Sequence, residues 1–129
     1  MEKTNQDLIE YWKEDGILHS EFKNNIDINI DNIEILINLR HLISENEMQY
    51  WCSDFKGVKS MSKEARDYSN IHGQDFLHAC ATVVYSHVTK FIVNTFMMIK
   101  NPKVPLKAFT TKEKAVTWLL EIKAKNELN

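Results

Sequence analysis

Five histidines, two cysteines and a run of charged and hydroxyl side chains from Asp54 to Asp67 are the residues whose chemistry could define this protein. A metal centre needs several well-spaced ligands, and structural zinc usually takes four. His72, His78 and Cys80 come nearest, with His78 and Cys80 alternating onto one face of a strand start. No HxxxH, HxH or CxxC spacing accompanies them. The histidines read as loop and surface residues, and no metal is expected. Cys52 and Cys80 sit in apolar, strand-like runs, where a thiol behaves as a small core residue. A nucleophilic Cys52 would require a partnered base, and the sequence names none. Asp54 and Asp67 are candidates for an acid–base pair. Asp54 also ends a strand, the place where open α/β sheets collect ligands. A lone carboxylate at such a turn more often accepts hydrogen bonds from loop N–H groups. With Lys63 and Arg66 beside it, Asp54 marks a candidate anion-binding corner. No catalytic residue is assigned, and no cofactor is expected.

The elements that must position these groups follow from periodicity and punctuation. Leu8 to Lys13 and Ile17 to Phe22 flank Asp15-Gly16, a dipeptide that favours a tight hairpin because both positions tolerate positive φ. Asp31 opens a helix as its N-cap, with Glu34 placed to complete a capping box. Ile33, Ile35, Leu36, Ile37, Leu39, Leu42 and Ile43 form a wide apolar arc. Glu34, Asn38, His41 and Glu45 form the wet stripe, and the helix ends near Asn46. Met48 to Phe55 reads as a buried strand broken by Gly57. Ser62 starts a helix through about Asn70, closed by Gly73. Ala79 to Tyr85 carries Thr82, Val83 and Val84, whose β-branching suits a pleated strand buried on both faces. Ser86 caps a helix to about Lys100, ended by Asn101-Pro102. Leu106 to Phe109 is a short last strand. Thr110 caps the final helix, which buries Ala115, Trp118, Leu119 and Ile122.

The expected order is β-β-α-β-α-β-α-β-α, an α/β fold with a mixed four- to five-stranded sheet, mostly parallel with one antiparallel edge. At 129 residues the chain has the size of a single domain, with an ordered core over about 7–123. Met1 to Gln6 and Ala124 to Asn129 are polar enough to be expected outside it. Apolar residues make up 43% and charged residues 26%, a globular balance, and the net charge is −2. Lysines and acids are interspersed, so no basic face for nucleic acid is expected. The opening Met-Glu-Lys-Thr-Asn-Gln-Asp lacks the apolar stretch of a signal peptide. The longest apolar-rich run, Phe91 to Ile99, is far short of a membrane span. A cytoplasmic protein is expected.

Asp54-Phe55-Lys56-Gly57-Val58-Lys59-Ser60-Met61-Ser62-Lys63 resembles the strand–turn–helix corner of STAS-like domains, the fold of bacterial anti-sigma-factor antagonists and of sulfate-transporter C-terminal domains. Asp54, Gly57, Val58 and Met61 match that family's strand end, turn and apolar position before the helix. The longer string Glu64-Ala65-Arg66-Asp67-Tyr68, with Asn101-Pro102-Lys103-Val104-Pro105, is similar to an uncharacterised bacterial STAS-like subgroup. The resemblance implies the STAS-like architecture over nearly the whole chain. It also implies a regulatory, protein-binding role without enzymatic activity. In the phospho-switched antagonists a Ser or Thr follows an Asp at this helix start and accepts phosphate. Here Ser62 aligns with the Asp and Lys63 with the acceptor, and a lysine cannot take that phosphate. Ser62 would be a displaced acceptor at a helix N-terminus, or simply an N-cap. The candidate regulatory corner is therefore Asp54, Ser62, Lys63 and Arg66.

His87 to Lys100 is more apolar than a sheet-flanking helix needs, with Lys90 and Asn94 as its polar stripe. Methionine side chains suit adaptable contact surfaces. Phe91, Met97 and Met98 are thus the candidate interface, for a protein partner or for a second copy in a homodimer. An apolar pocket beneath this helix is the alternative, which would make the chain a binder of a small apolar, lipid-like molecule.

Overall fold

A computed structural model describes residues 8–97 and 103–128. The chain opens with the expected hairpin, β1 (Ile9–Glu14) and β2 (Ile17–Phe22), paired antiparallel with Glu14 opposite Ile17. Asp15 and Gly16 both take positive φ, 53° and 78°, so the two-residue turn follows the right-handed twist of its strands. A short β3 (Ile26–Ile28) leads into α1 (Ile30–Ser44), and β4 (Gln49–Asp54) follows. Then come β5 (Val58–Met61), α2 (Lys63–His72), β6 (Leu77–Val83), α3 (His87–Met97), β7 (Leu106–Phe109) and α4 (Lys112–Glu127). The main sheet has the order β1-β2-β4-β6-β7. Only the β1–β2 pairing is antiparallel; β2–β4, β4–β6 and β6–β7 are parallel.

The mixed α/β fold thus has the architecture expected, with one addition. β3 and β5 form a separate two-stranded parallel sheet. Neither is long enough to announce itself as a strand, because three or four residues carry no readable alternation. Gly57 explains how they meet. A Cβ there would stand 1.9 Å from the Lys23 carbonyl oxygen and 2.5 Å from that of Phe22. Only glycine lets the turn after β4 press on the chain leaving β2. That contact lets Ile26 N–H donate to the Gly57 carbonyl at 2.9 Å.

Capping residues shift by a position or two from expectation. Asn29, not Asp31, caps α1: its side chain accepts from the N–H groups of Asp31 and Asn32, and Asn32 returns the bond to the Asn29 backbone. The reciprocal pair is a capping box with Asn in place of Glu. Thr111, not Thr110, caps α4 by accepting from Lys114 N–H. Ser62 and Ser86 cap α2 and α3 as expected, Ser86 in a reciprocal pair with Thr89. The C-terminal residues expected to lie outside the core instead continue α4 to Glu127. Asn126 anchors them, its amide donating to the Tyr50 hydroxyl at 2.9 Å. Met1 to Gln6 and Asn101-Pro102 lie outside the described residues.

Two cores flank the sheet. One lies beneath α4 and gathers Ile17, Tyr50, Cys52, Ala79, Ala81, Val83, Ala115 and Leu119. Small residues on β6 let α4 approach closely. The other gathers Ile9 and Phe22 with Ile33, Leu36 and Ile37 of α1, Ala65 of α2, Ile92 and Val93 of α3, and the small sheet. The face α1 buries is not the expected arc. Ile35 and Leu42 are exposed, whereas Arg40 and Ser44 are buried beside Ile33, Leu36 and Ile37. Spacing by three and four still defines the face; two of its members are polar.

Candidate functional site

Asp54 is 2% exposed at the last position of β4. Its carboxylate is fully engaged. Oδ1 accepts from Lys56 N–H at 2.9 Å, the loop interaction such a turn residue commonly makes. Oδ2 accepts from the Tyr85 hydroxyl at 2.9 Å and lies 3.5 Å from Lys112 Nζ. Lys112 also lies 3.7 Å from Glu21, at the end of β2, and 5.4 Å from the Trp12 ring centre. Trp12 stacks on His19 at 5.2 Å. Strand ends β2, β4 and β6 and the first residue of α4 thus converge on one polar edge. Desolvation and the adjacent Asp54 carboxylate push the Tyr85 phenol well above its ordinary range. Burial, with Lys112 next, pulls His19 below its usual 6.5.

The expected corner is partitioned. Ser62 Oγ accepts from Ala65 N–H at 3.2 Å, so its hydroxyl serves the helix. Lys63 pairs with Asp67 at 2.9 Å one turn along α2, on the exposed face. Arg66 Nη1 donates to the Met61 carbonyl at 2.7 Å, tying α2 back to β5. No hydrogen bond or ion pair among the described residues joins Asp54 to Ser62, Lys63 or Arg66. Asp54's partners are Tyr85 and Lys112, which sequence reasoning missed. One signal was available: Asp54 ends β4 and Tyr85 follows β6 in the same run of parallel strands, and such strand ends meet at one edge.

The remaining candidates separate by burial. Cys52 and Cys80 are free, buried thiols, and burial raises them to about 11 and about 12. A thiol so raised is a poor nucleophile near neutral pH. His78 and Cys80 do not share a face. The β4–β6 register shifts between Gln49 and Tyr50, and His78 instead stacks on Tyr50, with ring centres 4.7 Å apart. Such a bulge resets the alternation on which a shared face depends. Among the described residues no group of three His, Cys, Asp or Glu is placed to hold a metal. No described helix is long and apolar enough to cross a membrane. On α3, Val88 is 53% and Phe91 64% exposed, next to Tyr85 at 50%. Ile92 and Val93 form the buried side of the same helix. The Met97 side chain and Met98 lie outside the described residues.

Beneath α1 and α3, against the other face of the sheet, is a cavity of about 80 Å³. Its walls are almost wholly apolar and include Leu36, Ile37, Met61, Val93 and Trp51. At about 24 cal/mol per Å³, a void of this size costs about 2 kcal/mol. Ser53 is one of its lining residues, and among the described residues its fully buried hydroxyl oxygen has no hydrogen-bond partner.

The sequence matches the model of a family described as a domain of unknown function, DUF7793, over residues 11–123. No curated protein matches it significantly. Among solved structures the chain is similar to an uncharacterised protein from the DUF3478 family with a SpoIIAA-like fold, from Shewanella loihica PV-4. The two share 14% identity with a TM-score of 0.60, over 92% of this chain and 99% of that one. A likeness at that identity concerns the fold, and the fold is the STAS-like one that the Asp54 to Met61 segment resembles. With its match running from Tyr11 in β1 to Lys123 in α4, the chain belongs to the DUF7793 family.

Proposed function

We propose that the protein is a non-enzymatic STAS-like interaction domain of regulatory type, acting as a single domain and binding a protein partner or a second copy of itself. The observation that carries this reading is the apolar edge formed by Tyr85, Val88 and Phe91, each at least half exposed. Val88 and Phe91 are three residues apart and so lie along one side of α3. The polar edge of Asp54, Lys112 and Glu21 adjoins Tyr85, an arrangement of apolar centre and charged rim that suits docking. Lys63 occupies the acceptor position of the phospho-switched relatives and Ser62 is spent on its cap, so binding is constitutive. Two buried, reduced thiols suit a cytoplasmic setting.

The test pairs Val88→Asp with Phe91→Asp in one variant, with folding checked by circular dichroism. Sedimentation equilibrium of the unaltered chain should show concentration-dependent association that the variant loses, if the partner is a second copy. If the partner is another protein, a pull-down from the native host should enrich one species with the unaltered chain only. A monomer at all concentrations with identical pull-downs from both forms would sink the reading.

A further inference from the structure

We infer that the apolar edge on α3 docks onto the outer face of α1 in a second copy of this chain, so that copies join through unlike faces. The inference rests on reading Tyr85, Val88 and Phe91 as a docking edge, and it names the occupant. At about 100° per residue, Asp31, Glu34, Ile35, Asn38, Leu42 and Glu45 fall within one stripe roughly 100° wide along α1. All are exposed, Ile35 at 43% and Leu42 at 74%. Ile35 and Leu42 run along one side of the stripe, Glu34 and Glu45 along the other. On α3 the exposed His87, Val88, Lys90, Phe91 and Asn94 form a matching stripe. Val88 and Phe91 lie on one side of it and Lys90 on the other.

Charge makes the two stripes complementary. The outer face of α1 carries acids only, since its one arginine, Arg40, is buried and bonded to carbonyls. From Phe76 to Lys112, a stretch that includes α3, the chain holds five lysines and neither Asp nor Glu. Asp31, Glu34, Glu45 and Lys90 take no part in an ion pair among the described residues. Two α1 faces would set acid against acid and two α3 faces Lys90 against Lys90; the unlike pairing satisfies both. Helix handedness fixes the direction. In each stripe the apolar side follows the charged side in the sense of winding, so antiparallel helices bring Ile35 and Leu42 onto Phe91 and Val88. Glu34 then faces Lys90, and the acidic C-terminal end of α1 meets the N-terminal end of α3, where the dipole favours negative charge. Parallel helices would oppose apolar to charged. Within one copy, α1 packs against β1 and α3 against β7, at opposite edges of the main sheet. Unlike faces placed so leave one of each open at the ends, an arrangement that builds chains or rings.

Two variants that each lose one face provide the test, with folding checked by circular dichroism. One joins Ile35→Asp with Leu42→Asp; the other joins Val88→Asp with Phe91→Asp. Sedimentation equilibrium of the unaltered chain should show a mass that rises with concentration past that of two copies. Each variant alone should be a monomer. Their equimolar mixture should form pairs and stop there, because each supplies the face the other lacks. If the α1 variant associates as the unaltered chain does, or the mixture stays monomeric while the unaltered chain associates, the α1 face is not the occupant, although the α3 edge stands. A second pair of variants leaves the apolar residues alone. Glu34→Lys should weaken self-association about fivefold by turning an exposed attraction into a repulsion, and adding Lys90→Glu should restore it; no restoration would remove that pairing. An unaltered chain that is monomeric at all concentrations would overturn the inference. Pull-downs that still distinguish the α3 variant would then keep the docking edge for another protein.

Discussion

Arg40 offers the sharpest test of how this fold is held together. It is 1% exposed in the last third of α1, and among the described residues its hydrogen bonds go to backbone carbonyls rather than to a carboxylate. Its Nη2 donates to the carbonyls of Gly73 at 3.0 Å and Asp75 at 2.8 Å, just past the end of α2. Those carbonyls stand near the negative pole of the α2 dipole, which makes them good partners for a cation. Its guanidinium also lies 4.8 Å from the centre of the Trp51 ring. Each charge-assisted bond contributes about 1.5–3 kcal/mol. Gly73 is only half-buried and Asp75 is exposed, so water recovers part of each bond and the lower end applies. Two bonds at about 1.5 kcal/mol and about 1 kcal/mol from the ring, less some relief of desolvation, leave about 3 kcal/mol. Arg40→Ala should thus lower the urea midpoint by about 2 M. Arg40→Lys should recover less than half, because an ammonium lacks the planar group that stacks on Trp51 while bonding both carbonyls. An Ala variant within about 0.5 kcal/mol of the parent, or full rescue by Lys, would refute this account.

Two further outcomes follow from close packing and from titration. Gly57→Ala should cost about 3 kcal/mol in chemical denaturation, since its Cβ would collide with rigid backbone at Lys23 and Phe22; an unchanged midpoint would count against the β3–β5 pairing. His19 and His41 are both held below 6.5 by burial, so the unfolded chain binds their protons first. Their stabilisation is present above about pH 6.5 and is lost as pH falls below it towards their folded values. Thermal midpoints measured from about pH 7.5 to about pH 5 should therefore fall, and His19→Phe, which keeps the ring on Trp12, should flatten the slope. Identical slopes for parent and variant would remove His19 from the explanation.

Local chemistry made much of the architecture legible. Asp15-Gly16 specified the hairpin because two successive positive φ angles demand such residues. Ser62 and Ser86 specified two helix starts, and the β-branched run at Thr82 to Val84 specified a central strand. At two helix starts one local rule has two candidates. Asn29 and Asp31 both suit an N-cap, and Thr110 and Thr111 are adjacent; the entering chain decided between them. β3 and β5 went unseen because each is stabilised by the other, and a pairing across more than thirty residues leaves no local trace.

The candidate corner marks the division between sequence and tertiary structure. That Asp54 ends a strand, Gly57 turns the chain and Ser62 begins a helix is legible locally, since each depends on residues a few positions away. Long-range packing, by contrast, brings Asp54 to Tyr85 and Lys112 rather than to Lys63 and Arg66. Strand order brings the ends of β2, β4 and β6 to one edge, and α4 crosses the opposite face from α2. The same holds for Arg40 and for the cavity beside Ser53. A helix face, a void or an unpaired hydroxyl is a property of what packs against a residue, and those neighbours come from distant parts of the chain.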